Sequence, residues 1–193
     1  IGQDAGKTSQ GANATAVGYK AGSADQGTKA VAMGNQAGRI SQGDESVAIG
    51  DSAAYSSQGA YAVTVGTNSG YNAQGTNAVA VGYQAGCASQ GAGAVAIGYL
   101  AGSNAQGADA VAIGYEAARN SQGSASISVG QYAGRNSQGN YSVALGGACG
   151  VTSQATNAIA IGYGAALTGQ GQYAIALGRG AANYNQPANT FHT

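Results

Sequence analysis

The sequence has very little of several residue types on which most globular proteins and enzymes depend. Its 193 residues contain no Trp, one Phe, one Pro, one His and two Cys, and only 7% of them are charged. A lone histidine, His192, excludes a His-based catalytic triad and a His-rich metal site within this sequence. We therefore predict no enzyme activity, no catalytic residue, no metal and no cofactor. No apolar stretch approaches the ~18 residues of a transmembrane helix, so we also expect no membrane span.

Charge is equally sparse, with seven basic and seven acidic residues that balance to zero. No basic stripe is available to neutralise phosphates, which excludes nucleic acid as a partner. Asp44, Glu45 and Asp51 are the only local cluster of acids, which we interpret as solvated edges rather than a weak cation site. Three arginines share one position of the repeat described next and form a solubility ridge or a contact for an anionic glycan: Arg39, Arg119 and Arg135.

What the sequence does have is a strict period of 16 residues. Gly recurs at this interval from Gly2 to Gly178, and Gln does so at twelve positions without insertion or slip. A fixed period over the whole length indicates a solenoid, in which each coil contacts only its neighbours. We predict an all-β, parallel β-solenoid or β-roll of twelve 16-residue coils, with two short strands per coil. The glutamines are Gln10, Gln26, Gln42, Gln58, Gln74, Gln90, Gln106, Gln122, Gln138, Gln154, Gln170 and Gln186.

One coil can be built from the segment Ala94 to Gly98. Side chains alternate across a strand, so Val95 and Ile97 point to one face and Ala94 and Ala96 to the other. A thin roll has little interior, and we assign the alanine columns to it. Gly98 makes the first corner because it can adopt positive φ. A more polar segment over 99–104 is predicted as the second strand, followed by a Gln-Gly corner.

The conserved spacing of Gln within the chain indicates an architectural role. Each amide either bonds the amide of the next coil in a ladder or bonds the backbone of its own corner. The two cysteines, Cys87 and Cys149, lie almost four coils apart, or roughly 19 Å at ~4.8 Å per coil. That separation excludes an intrachain disulfide. Cys149 shares an alanine column and is predicted to be buried, whereas Cys87 lies in a more polar column.

Both faces of the first strand are apolar, yet only one can face the interior. If alanine faces inward, the branched residues form an outer stripe on the order of 1,000 Å², which exceeds the largest apolar patch of a typical monomer. We therefore predict side-by-side assembly of copies along this stripe. The predicted assembly residues are Val31, Met33, Val47, Ile49, Val79, Val81, Val95, Ile97, Val111, Ile113, Ile159 and Ile161.

Tyrosines form a second notable column, with Tyr83, Tyr99 and Tyr115 in three consecutive coils. At ~4.8 Å spacing their rings can stack into a ladder that stabilises the sheet surface. The alternative is a ligand strip for a carbohydrate or protein, because exposed Tyr is enriched in interfaces.

The pentads at 46–50, 94–98 and 110–114, and at 158–162 with Ile159 in place of Val, resemble the head repeat of YadA-like trimeric autotransporter adhesins. Similar repeats also occur in viral and phage fibre-like proteins. The resemblance implies a left-handed parallel β-roll, a trimer packed through the aliphatic columns, and a head that binds extracellular matrix or host surfaces. The coil here is longer than the family's usual one, and the family's neck, stalk and membrane anchor are not found in this sequence.

These observations predict a single repeat domain, 1–193, uncapped at both ends. Its predicted function is that of a structural fibre, filament or surface-display rod, located extracellularly or on a cell or virion surface. It is expected to be a homo-oligomer, as a trimer or as a filament stacked end to end through Ile1, Gly2, Phe191 and His192. The alternatives are an adhesin-type module that binds a host surface protein, matrix or glycan, and an ice-binding protein.

Overall fold

The computed structural model describes all residues from 1 to 193 and contains two strands in each of twelve coils. The strands lie in two 12-stranded sheets. One sheet contains β1 (Thr8–Gln10), β3 (Ala24–Gln26), β5 (Ile40–Gln42), β7 (Ser56–Gln58), β9 (Asn72–Gln74), β11 (Ala88–Gln90), β13 (Asn104–Gln106), β15 (Asn120–Gln122), β17 (Asn136–Gln138), β19 (Thr152–Gln154), β21 (Thr168–Gln170) and β23 (Tyr184–Gln186). We call it the Gln sheet.

The other sheet carries the aliphatic residues and is called the aliphatic sheet. It contains β2 (Thr15–Val17), β4 (Val31–Met33), β6 (Val47–Ile49), β8 (Val63–Val65), β10 (Val79–Val81), β12 (Val95–Ile97), β14 (Val111–Ile113), β16 (Ile127–Val129), β18 (Val143–Leu145), β20 (Ile159–Ile161), β22 (Ile175–Leu177) and β24 (Phe191–His192). The predicted all-β parallel solenoid, with two short strands per coil, is confirmed.

Pairing within each sheet follows the 16-residue period without a slip. Every neighbouring pair is parallel, and Val95 of β12 pairs with Val79 of β10 and Val111 of β14. Register is therefore set by the sequence repeat itself, because each residue pairs with its equivalent in the next coil. This alignment brings like residues into straight columns along the solenoid.

The interior is as narrow as the sequence predicts. Ala94, Ala96 and Ala101 are completely buried, as are their equivalents in most other coils. No Val, Ile, Phe or Met side chain is among the buried residues, and the largest fully buried side chains are Gln, Thr, Cys and Ser. The two sheets pack so closely that the space between them holds only small side chains, or long unbranched ones that lie along the sheet.

The position of the second strand differs from the sequence prediction. We expected it over 99–104 with Gln106 at a corner, but residues 99–102 form a turn and the strand is Asn104–Gln106. Its middle residue, Ala105, has a left-handed backbone with φ of 54°. Side chains alternate in a regular strand, and a left-handed residue interrupts that alternation. Consequently Asn104 is exposed while Gln106 is buried.

The buried glutamines make both kinds of bond that the sequence left open. Gln106 Nε2 donates to the carbonyl oxygens of Val95 and Ala110, at 2.8 and 3.1 Å, and so ties the two sheets together. Its Oε1 accepts a bond from Gln90 Nε2 at 3.1 Å. A second run of amide-to-amide bonds connects Gln138, Gln154, Gln170 and Gln186. The buried amides thus bond the backbone of their own corner, and those in the two runs also link neighbouring coils.

The corner at Gly98 has two reasons to be glycine. Its φ is 129°, a value that side chains strongly disfavour. An added Cβ would also lie 2.6 Å from the carbonyl oxygen of Gly114 in the next coil. Equivalent glycines close the same corner from Gly2 to Gly178, which accounts for their strict recurrence.

Candidate assembly and ligand surfaces

The aliphatic stripe lies on the outer face of the aliphatic sheet. Val95 is half-buried, and Ile97 keeps 38% of its surface exposed, with similar values for Met33, Ile49 and Ile113. The alanines between these residues face inward, so the stripe presents only branched or long apolar side chains to the outside. All of the predicted stripe residues lie on this face, in columns that run along the whole solenoid.

The tyrosine ladder has the geometry expected from its column. The ring centroids of Tyr83 and Tyr99 are 5.3 Å apart, and those of Tyr99 and Tyr115 are 5.0 Å apart, with nearly parallel planes. Tyr132 closes one end of the stack, with its ring perpendicular to that of Tyr115. The rings cover one another's faces and present edges and hydroxyls to the surroundings. Loss of water around the stack, with a smaller effect of the nearby Glu116 carboxylate, raises the pKa of Tyr115.

This geometry bears on the predicted ligand strip. A sugar ring that binds an aromatic residue generally packs against the face of that residue, and in the middle of the ladder both faces are covered by neighbouring rings. The stack is therefore well suited to stabilising the sheet surface. A second stacked pair, Tyr55 and Tyr71 at 4.8 Å, was not predicted, although its two residues share a column one period apart.

The arginine column is less available for binding an anionic ligand than the sequence suggests. Arg119 and Arg135 both contact the carboxylate of Glu116, at 3.2 and 2.7 Å, and this side chain is only 9% exposed. Two cations compensate the desolvation of one carboxylate. Arg39 instead packs over the ring of Tyr55 and bonds its hydroxyl. The ridge is thus occupied by internal contacts.

The three clustered acids also have partners. Asp44 accepts a bond from the backbone nitrogen of Thr28 at 2.7 Å, and Glu45 pairs with Lys29 at 3.0 Å. Asp51 accepts a bond from Asn35. No group of three or more His, Cys, Asp or Glu side chains is placed to hold a metal ion. These contacts agree with the interpretation of the acids as surface edges.

The cysteines are unbonded, as their separation predicts. Cys149 is buried, and this burial raises the pKa of its thiol to about 12. Cys87 is half-buried, and desolvation raises the pKa of its thiol as well. Both groups are protonated at neutral pH and therefore poor nucleophiles.

The residues predicted to make end-to-end contacts lie at the two ends of the aliphatic sheet. Ile1 is 90% exposed and Phe191 is 60% exposed. His192 pairs through β24 with β22 and makes a 3.1 Å contact with Gln186, so its ring caps the last member of the amide ladder. No helix in the structure has the length and apolarity required to cross a membrane.

Comparison with known families supports the resemblance carried by the pentads. Residues 9–37, 72–86 and 89–117 match the family model described as YadA head domain repeat (2 copies). The three matched segments are similar to the YadA head repeat and together span less than half of the chain. No curated protein matches the chain. The matched segments include strands β2, β4, β12 and β14, which carry much of the aliphatic stripe. They also include all three members of the tyrosine ladder.

Proposed function

We propose that this chain forms a self-assembling surface rod of the adhesin-head type, in which copies pack side by side through the aliphatic stripe. The observation that carries the proposal is the uninterrupted exposure of branched aliphatic residues along the aliphatic sheet, while every alanine column faces inward. The YadA-type repeats support the same arrangement, since heads of that family are parts of trimeric adhesins.

The energetics favour covering the stripe. Twenty-odd side chains that each expose about 50 Å² amount to on the order of 1,000 Å², more than the ~300–600 Å² of a typical monomer's largest apolar patch. At about 25 cal/mol per Å², burial of that area would contribute on the order of 25 kcal/mol before the costs of association. Self-association is the simplest way to bury a face that repeats with the same period in every copy.

A trimer is the form we propose for the side-by-side assembly, on the strength of the YadA-type repeats. The exposed Ile1 and Phe191 side chains support end-to-end stacking, with Gly2 and His192, as a second contact in the proposal. A rod of this kind places its outer residues at a distance from the surface that bears it. We accordingly propose an extracellular or cell- or virion-surface location and no catalytic role.

A second function, binding of a host protein, matrix or glycan, is favoured by the exposed aromatic residues on the outer turns. Tyr83, Tyr99 and Tyr115 each keep about 43% of their surface exposed, and Tyr163 keeps 65%. Tyrosines with this exposure are common in protein and glycan interfaces. Display of a ligand-binding surface and assembly through the aliphatic stripe use different faces of the coil, so the two functions are compatible.

The assembly is tested by placing charge on the stripe. The double variant Ile97→Lys with Ile113→Lys would bury two ammonium groups in the proposed interface, so we expect it to dissociate to monomers. The matched control, Ser89→Lys with Ser121→Lys, places the same charges at exposed positions of the Gln sheet and should keep the assembly. Light scattering coupled to size exclusion measures the mass of each. Equal masses for the two double variants would contradict the proposal.

A further inference from the structure

Near the C-terminal end of the solenoid, the outer turns contain a shallow depression, and two others lie on the same turns around Tyr71 and around Lys20. Its volume is about 230 Å³, and Tyr163, Leu167, Arg179 and Asn183 supply its larger side chains. Ala148, Gly164 and Gly180 complete its lining. This volume lies below the ~300–1,000 Å³ of sites for drug-sized ligands, so it suits a single small ring.

Two glycines keep the depression open, although the fold itself does not require glycine at their positions. Gly164 and Gly180 both have φ of 69°, but Gln84 and Leu100 occupy the same column of the repeat with φ of 50° and 55°. A left-handed backbone therefore does not require glycine in this column. An added Cβ would also meet no atom within 4 Å at either glycine. The effect of both glycines is to leave space between Tyr163 and the side chains across the depression.

Tyr163 differs from the stacked tyrosines of its column. Tyr83, Tyr99 and Tyr115 stack on one another, whereas the ring of Tyr163 stacks on no other ring. It lies against Gly147, whose added Cβ would be 3.1 Å from Tyr163 Cδ2. With 65% of its surface exposed, this ring offers an uncovered aromatic surface at the depression. Such a surface packs well against the C–H groups of a pyranose ring.

Arg179 is the one arginine of the chain whose side chain contacts no partner. The other three contact Glu116 or Tyr55, and Arg135 also packs over Tyr132. The last acidic residue is Glu116, which lies four coils away, or roughly 19 Å at ~4.8 Å per coil. None of the ion pairs in the structure involves Arg179, since they use Lys7, Lys29, Arg119 and Arg135. A guanidinium pairs with a carboxylate through two parallel bonds.

We propose that this depression binds a sugar that carries a carboxylate, with the pyranose ring on Tyr163 and Leu167 and the carboxylate on Arg179. Asn183, whose amide makes no bond within the protein, supplies a donor and an acceptor for the sugar hydroxyls. The inference rests on the proposed surface-display function and deepens it by naming the ligand class. It also moves the ligand site from the tyrosine ladder, where ring faces are covered, to Tyr163, the most exposed tyrosine of that column, beside an unpaired arginine.

The test is titration of the full chain with methyl β-D-glucuronide, followed by NMR of the ligand and the protein. We expect a Kd on the order of 1 mM, as for other ligands of this size. Methyl β-D-glucoside and acetate should each bind at least about tenfold more weakly, because each lacks one of the two contacts. Absence of glucuronide binding at tens of millimolar, or equal binding of acetate, would overturn the proposal.

Three variants assign binding to the depression. Arg179→Gln should weaken glucuronide binding by about tenfold or more and leave glucoside binding unchanged. Gly180→Gln should fill the depression and abolish binding of both sugars, since Gln already occupies this column at Gln36 and Gln84. Tyr61→Ala, at an exposed tyrosine of another column, is the control that should bind as the unmodified chain does. Binding that survives Gly180→Gln, or is lost only in Tyr61→Ala, would refute the assignment.

The same samples separate this inference from the proposed function. The mass of each titrated sample is measured alongside the binding. An assembled chain that fails to bind the glucuronide contradicts the ligand site alone. A monomeric chain that binds it contradicts the assembly and leaves the site supported.

Discussion

The buried glutamines give a specific prediction. Replacing the side-chain nitrogen of one of them with oxygen converts a neutral hydrogen-bond donor into an ionisable carboxyl group. Gln106 is 3% exposed, and its Nε2 donates to the backbone carbonyls of Val95 and Ala110. The substitution Gln106→Glu keeps the size of the side chain. It replaces a double donor by a carboxylate oxygen that faces two carbonyl oxygens, so the introduced carboxyl must take up a proton to remain in place.

The magnitude follows from the ordinary pKa of glutamate. Protonating a carboxyl with an unfolded-state pKa of about 4.3 at pH 7 costs about 4 kcal/mol, at 1.36 kcal/mol per pH unit. The protonated group can donate only one of the two bonds that the amide donates, which adds about 1 kcal/mol. We therefore expect the free energy of unfolding to fall by about 5 kcal/mol at pH 7. This is a large part of the stability of a typical domain.

The sign of the pH dependence is fixed by the direction of the shift. The folded-state pKa of the introduced carboxyl is raised above its unfolded value, so the folded and unfolded states differ little in protonation below about pH 4.3. The deficit should therefore be about 1 kcal/mol at pH 4 and grow as the pH rises toward 7. Urea unfolding, followed by circular dichroism at pH 4 and pH 7, measures both values.

Gln10 provides a matched control in the same column. Its side chain is exposed and makes a single bond, from Nε2 to the carbonyl oxygen of Ala14 at 3.2 Å. We expect Gln10→Glu to change stability by less than about 1 kcal/mol at either pH. Equal destabilisation by the two substitutions, or a Gln106→Glu deficit that does not change with pH, would refute the role assigned to the buried amides.

Three further predictions concern packing and reactivity. Gly98→Ala should destabilise the chain by about 2–4 kcal/mol, because its Cβ meets the carbonyl of Gly114. The control, Gly180→Ala, should cost less than about 1 kcal/mol, because its Cβ meets no atom. Similar melting temperatures for the two variants would contradict this prediction. Ala96→Leu should cost about 1–3 kcal/mol by overpacking the interior, while Ala108→Leu at an exposed position should change stability by less than about 0.5 kcal/mol in thermal unfolding. A thiol reagent at pH 8 should modify Cys87 first and Cys149 only after unfolding, since burial raises the pKa of Cys149 to about 12; equal rates in the folded chain would refute the buried assignment.

The sequence predicts the repeating elements well because they depend on a simple alternation. Val95, Ala96 and Ile97 alternate in size, and the narrow interior selects the alanine face, so strand, direction and burial all follow from the pattern. The stacking of Tyr83 on Tyr99 follows from the period alone. The same is true of the separation of Cys87 from Cys149. Each of these features needs only the coil length and the spacing between parallel strands.

The placement of Gln106 inside the solenoid could not be predicted in the same way. It depends on the left-handed backbone of Ala105, and Leu100 and Asp109 adopt the same conformation in the turns. Neither Ala105 nor Leu100 has a local preference for this conformation, so residue type gives no signal at these positions. The conformation is maintained by bonds between coils, such as those from the nitrogens of Leu100 and Asp109 to carbonyls of the preceding coil.

The candidate ligand surface was also only partly predictable. The column of Tyr163 is visible in the sequence, but its uncovered ring depends on the absence of a side chain at Gly147 and on the open space at Gly180. The pairing of Glu116 with two arginines likewise depends on how columns three residues apart meet on the turn. Contacts between columns are set by the shape of the turn, which the period does not specify.

The most direct test of the account is the mass of the unmodified chain in solution, measured by sedimentation equilibrium over a range of concentrations. One copy has a mass of 18.5 kDa. Packing through the aliphatic stripe predicts an assembly of about three times that mass that persists on dilution, or a larger one if copies also stack end to end. A stable, soluble species of 18.5 kDa at all concentrations would show that the branched columns remain in water and would contradict the central claim.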